Sequence, residues 1–223
     1  MQTNRYSQSE IEALGIKAAR GAGYDWGMAE EAGMAARWLA HEGLPGPKLL
    51  LACLQAPRGQ APVIAAAGWQ VQAGAQAGAG AGARLCPLLT GAALSDRAGL
   101  ADGPGRVAVT LRDIGHPALV LPFAAQAAAR LGQPLALIWE GAEVVRTTGG
   151  RLVVVAAAGL GADHAAQLDV SAATDCAPSA RGEAGYHVPD RVWNALVGLA
   201  LATTVPATSR SRAGAGSSTS DND

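Results

Sequence analysis

The chain has 223 residues, of which 49% are hydrophobic but only 4% are aromatic, and 17 Lys and Arg against 18 Asp and Glu give a formal net charge of -1. This length allows one sizeable core or two small ones. The balanced charge argues against nucleic acid or an anionic membrane as a partner, since either would favour a strongly basic face.

The N-terminal residues are polar and lack the apolar stretch of a secretory signal, which predicts a cytoplasmic protein. No window approaches the ~18 consecutive apolar residues of a membrane span. Three cysteines, Cys53, Cys86 and Cys176, form no CxxC pair. This spacing predicts reduced thiols and argues against a disulfide framework or a structural zinc site. Cys86, between Leu85 and Pro87, is predicted to be a small buried hydrophobic residue and not a nucleophile.

Helices are predicted over residues 10–55. Ser9 and Glu12 have the spacing of a capping box, which predicts a first helix from Glu10 to about Arg20. Asp25 can cap a second helix, which the pattern extends to about residue 42.

The second predicted helix carries a face of small residues that would let another backbone approach closely. Its members are Ala29, Ala32, Gly33, Ala36 and Ala40. Pro47 then predicts the start of a third, short helix that runs to Leu54.

Between residues 56 and 104 the pattern weakens, because Ala and Gly fit many conformations. Short strands are predicted at 63–64 and 69–71, and a buried crossing segment at 84–94. A loop is predicted at 74–82.

Residues 106–113 alternate between apolar and polar side chains, which predicts a half-buried strand. Pro122 suits the first position of a helix that runs to Leu131. Gly132 offers the left-handed residue that often follows a helix, and Pro134 prevents continuation.

Short apolar runs separated by turn residues predict a meander after this helix. Its strands are expected at 135–139, 144–146 and 152–155, with a further strand at 167–170. A final helix is predicted to begin near Pro189.

The order of these elements predicts an α+β fold in which the N-terminal helical unit packs on a predominantly antiparallel sheet with one strand-helix-strand unit. We expect a single domain over residues 1–208, made of the helical unit at 10–55 and a mixed region of sheet and helices at 56–208. Residues 209–223 are expected to form a Gly/Ser-rich tail.

Three stretches of the chain resemble a bacterial family of proteins of unknown function (DUF3726). They are Glu10-Ile-Glu-Ala-Leu14 with Ala18–Gly27 and Ala29–Gly33, then Leu85-Cys-Pro-Leu-Leu89 with Gly91–Leu94, and finally Val205–Arg210 with Ser220-Asp-Asn-Asp223. The resemblance implies a bacterial, full-length, single-unit protein and carries over no catalytic residue. It also implies that Ser209, Arg210, Gly214 and Asp221 belong to a recurrent feature of the tail.

Two segments combine a guanidinium with glycines, namely 20–25 and 209–216. Arg20 and Arg210 are therefore candidates to bind a carboxylate or phosphate through bidentate hydrogen bonds. The alternative is that Arg20 is a solvated cation at a helix end and Arg210 an exposed tail residue.

Tyr24 and Trp26 follow Arg20 and are candidates to line a substrate pocket with it, or to close the second helix as a hydrophobic staple. Asp221 joins these substrate-binding candidates through the resemblance.

Asp113 and His116 lie at the end of a predicted strand, where an Asp can orient an imidazole for proton transfer. They are the candidate catalytic residues, and a plain turn is the alternative. Asp163-His164 is a similar but isolated pair. The four histidines show no ligand spacing, so no metal site is predicted.

Two functions remain open from the sequence. One is a cytoplasmic bacterial enzyme acting on a small anionic metabolite, with Arg20 and Arg210 holding the anion and Asp113 or His116 carrying a proton. The other is a noncatalytic accessory or binding subunit that packs against a protein partner or a second copy. Neither involves nucleic acid or a membrane, and the residues indicate no particular cofactor.

Overall fold

The computed structural model describes residues 3–65, 68–70, 72, 83–147, 150, 152–174 and 186–202. Within these ranges it contains six α-helices, one 3-10 helix and nine strands. In chain order they are β1 (Thr3–Arg5), α1 (Gln8–Gly21), α2 (Trp26–His41), α3 (Gly46–Gln55), β2 (Val63–Ala65), β3 (Gly68–Gln70), α4 (Pro87–Asp96), β4 (Val109–Gly115), the 3-10 helix (Pro117–Val120), α5 (Leu121–Leu131), β5 (Leu135–Trp139), β6 (Ala142–Arg146), β7 (Leu152–Ala156), β8 (His164–Ala172), β9 (His187–Pro189) and α6 (Asp190–Leu201).

Helices α1 and α2 pack at close range because glycines face each other where they cross. A Cβ on Gly15 would lie 3.0 Å from the Gly33 Cα, and a Cβ on Gly33 would lie 2.5 Å from the Ile16 Cγ1. The alanines of the predicted small-residue face are all buried. The prediction of that face is confirmed.

The cap of α1 lies two residues before the predicted one. Ser7 accepts a hydrogen bond from the Glu10 N–H, and the Glu10 carboxylate accepts one from the Ser7 N–H at 2.8 Å. The prediction of Ser9 and Glu12 was wrong because Ser7 and Glu10 have the same spacing and stand where the chain enters the helix. The Asp25 cap is confirmed, since its Oδ1 accepts from the Met28 N–H at 2.8 Å.

Seven strands form one sheet in the order β2-β3-β4-β8-β5-β6-β7. Strands β3 and β4 are parallel, and every other neighbouring pair in this sheet is antiparallel. The predicted strand-helix-strand unit is β4-α5-β5, and β8 lies between its two strands. The α+β fold with a predominantly antiparallel sheet is therefore confirmed.

Two hydrophobic clusters hold the layers together. One packs the sheet against the 3-10 helix, α4 and α5, and takes Leu39, Leu49 and Cys53 from the helical unit. The other joins α1, α2 and α6 and includes Phe123 from α5. The helical unit is thus anchored on the helix layer that covers the sheet.

Strand β4 begins three residues later and ends two residues later than the predicted strand at 106–113. Residues 103–107 form hydrogen-bonded turns, in which the Gly103 C=O accepts from the N–H groups of Arg106 and Val107. Arg106 and Val107, the first residues of the predicted alternation, belong to these turns and not to the strand. Val107 is exposed.

The predicted crossing segment at 84–94 is largely helix α4. Pro87 takes its first turn, and a Cβ on Gly91 would lie 2.3 Å from the Phe123 Cδ2. Apolar residues surround this helix, so the sequence shows no helical period there. The other predicted helices and the meander are confirmed, with shifts of a few residues at their ends.

Strands β1 and β9 were not predicted, because each of these three-residue strands forms by pairing with the other, far away in the sequence. They pair antiparallel ahead of α1 and α6, where the rings of Tyr6 and Trp193 stack at 3.5 Å between centroids. The predicted loop at 74–82, Val71 of the predicted strand at 69–71, and the tail at 209–223 lie outside the described residues.

None of the helices in the described ranges has both the length and the apolar character needed to cross a bilayer.

Candidate functional site

The end of strand β4 carries two unusual backbone conformations. Asp113 has φ 53° and His116 has φ 43°, and within the described chain these are the non-glycine residues with positive φ. Asp and His tolerate this region better than most side chains. Such outliers often mark sites where the surrounding structure fixes a functional geometry.

Hydrogen bonds from two other segments fix the backbone here. The Leu85 N–H donates to the Asp113 C=O at 2.8 Å, and the Gly115 N–H donates to the Leu85 C=O at 3.1 Å. The His116 N–H donates to the Asp163 C=O at 3.0 Å. The residues before α4 and the start of β8 therefore hold the end of β4 from both sides.

This arrangement brings together the two Asp and His motifs found in the sequence. The histidine of each motif faces the aspartate of the other motif. His116 Nδ1 lies 3.7 Å from Asp163 Oδ1, and His164 Nε2 lies 3.5 Å from Asp113 Oδ1. His116 is only 6% exposed, whereas the two carboxylates reach solvent. The site is thus a buried imidazole with a carboxylate-rich opening.

His116 is neutral near physiological pH. Burial lowers the pKa of its imidazole below the ordinary value; the Asp163 carboxylate opposes this effect and the positive charge of Arg84 adds to it. A neutral imidazole can accept a proton. Its geometry therefore suits a general base.

Arg84 is an exposed cation close enough to His116 to influence its pKa. No motif in the sequence marks Arg84 as a site residue, since it lies in the weakly patterned region before α4. In the described residues no group of three or more His, Cys, Asp or Glu is placed to hold a metal ion. The cluster therefore offers acid–base groups with a neighbouring cation.

The candidates Arg20, Tyr24 and Trp26 meet in the turn between α1 and α2. Arg20 Nη1 donates to the Tyr24 C=O at 2.8 Å, and its guanidinium lies 5.6 Å from the centroid of the Trp26 ring. Trp26 is 62% exposed, whereas Tyr24 is 4% exposed. Arg20 thus closes this turn, and Trp26 is the residue that presents a large surface to solvent.

Tyr24 belongs to a buried group beneath this turn. Its hydroxyl lies 3.4 Å from the Cys86 Sγ, and the Arg58 guanidinium lies 4.2 Å from the centroid of its ring. Burial raises the pKa of Tyr24, and it raises the pKa of Cys53 to about 12. The prediction that Cys86 is buried is confirmed, and Tyr24 and Cys53 are protonated at neutral pH.

The two sets of candidates lie on either side of one short segment. Leu85 is hydrogen-bonded to β4, and the adjacent Cys86 contacts Tyr24. The structure therefore joins Asp113 and His116 in one cluster, and Arg20, Tyr24 and Trp26 in another. Arg210 and Asp221 lie outside the described residues.

Residues 6–81 match a family model with the description "Protein of unknown function (DUF3726)". This match confirms the resemblance inferred from the sequence over the helical unit and the residues that follow it. Comparisons with curated proteins and with solved structures found no match.

Proposed function

We propose that the protein is a cytoplasmic bacterial enzyme that transfers a proton to or from a small anionic metabolite. The resemblance to DUF3726 brings no activity with it. The observation that carries this proposal is the pair of Asp–His contacts at the end of β4. Asp113 and His116, the catalytic candidates of the sequence, contribute one residue to each contact.

His116 is the proton acceptor in this mechanism. A carboxylate facing Nδ1 favours a proton on that nitrogen and leaves the lone pair of Nε2 to act as the base. Asp163 is 85% exposed in its side chain, so it is free to approach the ring when substrate binds. Catalytic hydrogen bonds are commonly longer before the substrate arrives.

His164 and Asp113 supply the second proton-transfer group. His164 is one-third exposed, and its Nε2 faces the Asp113 carboxylate. The two imidazoles would together serve as base and acid for a single reaction.

Arg84 supplies the charge that would hold the substrate anion, because an arginine beside a base can bind a carboxylate or phosphate next to the reacting atom. Arg20 is a second candidate, although one of its nitrogens already donates to Tyr24. Arg210 and Asp221 remain candidates from the sequence.

A thermal-shift screen of carboxylate and phosphate metabolites tests this proposal on the full-length chain. We expect a stabilising ligand whose effect is lost in Arg84→Ala. With that ligand as substrate, His116→Asn should lower kcat by about 10²- to 10⁴-fold, since asparagine keeps the left-handed backbone but cannot act as a base. His187→Asn, at the exposed position of β9, is the matched control. Unchanged kcat in His116→Asn would overturn the assignment.

The accessory-subunit function keeps one specific observation in its favour. Trp26 and Leu201 are 62% and 59% exposed; Trp26 lies beside Arg20, and Leu201 ends the helix whose Leu199 C=O lies against Gly21. Exposed apolar side chains that form one contiguous patch are typical of a contact surface. A Trp26→Ser variant that loses a co-purifying protein without losing stability would favour this function.

A further inference from the structure

A cleft separates the α2–α3 turn from strand β9, on the helical unit. Its volume is about 190 Å³, and its lining residues are Ala40, Gly43, Leu44, Pro45, Pro47, Tyr186, His187 and Val188. Typical small-molecule sites have roughly 300–1,000 Å³. This cleft is smaller. Most of its lining residues are apolar in type, whereas polar and apolar atoms share its surface equally, so it suits one aliphatic side chain beside polar backbone groups.

Among the described residues, strand β9 pairs only with β1, so its other edge is unpaired there at the residue that lines this cleft. Tyr6 and Tyr186 continue the β1–β9 register by one residue, and the Tyr6 N–H donates to the Tyr186 C=O at 3.1 Å. In an antiparallel pair, successive residues direct their N–H and C=O groups to alternate sides. The N–H and C=O of His187 therefore point away from β1.

The wall of the cleft is fixed before any ligand arrives. The Tyr186 hydroxyl accepts a hydrogen bond from Gln8 Nε2 and lies 3.2 Å from His41 Nδ1. These contacts tie the residue before β9 to α1 and α2. A fixed edge reduces the ordering cost of binding.

The exposed side chains around the cleft favour an acidic ligand. The Lys48 ammonium is exposed there, and so are the imidazoles of His41 and His187, which can donate hydrogen bonds to a carboxylate. The nearby Glu42 carboxylate is only 4% exposed and lies 3.7 Å from Arg146. The charge offered to a ligand at this rim is therefore cationic.

We propose that the cleft docks an extended peptide segment of a partner protein, which adds a strand to β9. The peptide backbone pairs with the N–H and C=O of His187, and one aliphatic side chain enters between Leu44, Pro45 and Pro47. An acidic residue beside it lies near Lys48 and the two histidines. Strand addition of this kind obtains affinity from main-chain hydrogen bonds and specificity from a side-chain pocket.

Fluorescence anisotropy with the full-length protein and a labelled peptide tests this docking. The probe is acetyl-Asp-Val-Leu-Val-Asp-amide carrying fluorescein, and its control is the same peptide with N-methylated amides, which cannot donate to β9. We expect the probe to bind and the control to fail. Protection of the His187 amide from hydrogen exchange in the presence of the probe should locate the contact.

Two substitutions at one position separate backbone from side chain. His187→Ala keeps the N–H and removes the imidazole from the rim, so its affinity for the probe is the reference for losing the side chain alone. His187→Pro also removes the N–H that faces away from β1 and should bind about twofold to tenfold more weakly than His187→Ala, the effect of one hydrogen bond. Circular dichroism verifies that both variants fold.

Several outcomes would overturn this docking proposal. They are equal binding by the proline and alanine variants, equal binding by the N-methylated peptide, and no binding by the wild type. Dimerisation of the wild type that His187→Pro abolishes would assign the cleft to a second copy of the chain.

Discussion

At the scale of single residues, Asp113 and His116 differ from the rest of the described non-glycine residues in backbone conformation. Three hydrogen bonds from Leu85 and Asp163 hold their segment in place. A substitution that restores an ordinary backbone angle would therefore disturb β4, the start of α4 and β8 together. Asparagine is the informative replacement at either position, since it tolerates the left-handed region and removes only the titrating group.

The pKa of His116 leads to a prediction about stability and pH. Its folded-state pKa lies below the ordinary value of 6.5 because burial disfavours the imidazolium. As the pH falls below about 6.5, His116 therefore takes up a proton in the unfolded state before it does so in the folded state. The stability that neutral His116 contributes is lost as the pH falls further. We expect the Tm to decline less between neutral and mildly acidic pH in His116→Asn than in the wild type.

Calorimetry across that pH range gives the measurement. His187→Asn, at an exposed histidine, serves as the comparison variant. Parallel curves for the wild type and His116→Asn would contradict the assigned direction of the pKa.

The buried thiols give a second prediction at this scale. Cys53 and Cys86 are 7% and 0% exposed, and burial raises the pKa of Cys53 to about 12. Thiolate is the reactive form. We expect both residues to react slowly with Ellman's reagent in the native protein and readily in guanidinium chloride, with mass spectrometry separating them from Cys176. Fast labelling of native Cys86 would restore the nucleophile interpretation.

At the scale of elements, the helical unit depends on close approach of backbones more than on large side chains. Ala36 is 1% exposed on α2, and a Cβ on Gly46 at the start of α3 would lie 2.1 Å from the Ala36 C=O. There is no room here for a larger residue. Cores of this kind respond strongly to added volume.

Ala36→Leu should destabilise the protein by about 1–3 kcal/mol through overpacking. For a chain of this size that corresponds to a fall in Tm of roughly 2–12 °C. Glu30→Leu places the same side chain on the exposed face of α2 and is the matched control. If both variants melt at the wild-type temperature, the result would contradict the close packing described for this face of α2.

Elements with clear start and stop residues were predictable from the sequence. Helix α5 has Pro122 in its first turn and ends at Leu131, and Gly132 has the left-handed φ of 63° that was expected. Helix α4 was missed because its apolar residues show no helical period. The three-residue strands β1 and β9 exist because they pair with each other, and that information is not local.

The candidate site was predictable only in part for the same reason. The turn at Asp113 and His116 was visible in the sequence, as was the Asp163-His164 pair. Their meeting depends on β8 lying beside β4, with Ile114 opposite Ala165 and Gly115 opposite His164. The approach of Arg84 depends on the bridge between Leu85 and Ile114. Neither pairing can be read from a single segment.

At the scale of the whole molecule, the chain reaches the Arg20 turn a second time. Helix α6 ends beside it, where a Cβ on Gly21 would lie 1.8 Å from the Leu199 C=O. The end of α6 therefore lies against Gly21, the residue that follows Arg20. Truncation of the tail tests Arg210 and Asp221.

Removal of residues 209–223 should leave the remaining chain with a single cooperative unfolding transition near the wild-type Tm, as the predicted domain at 1–208 requires. The same truncation should abolish stabilisation by the anionic metabolite found in the thermal-shift screen. Circular dichroism and tryptophan fluorescence, measured on both chains with and without the metabolite, provide the test. A truncated chain that still responds fully to the metabolite would remove Arg210 and Asp221 from the site.

The position of β8 has a consequence for the order in which the protein is made. Strands β4 and β5 each pair with β8 and not with each other, so during synthesis the centre of the sheet stays open until residues 164–172 leave the ribosome. Pairings between distant segments form slowly, and an open strand edge invites association with other chains. Because Asp163 and His164 are synthesised with that strand, the nascent chain forms both Asp–His contacts in the same step that closes its sheet.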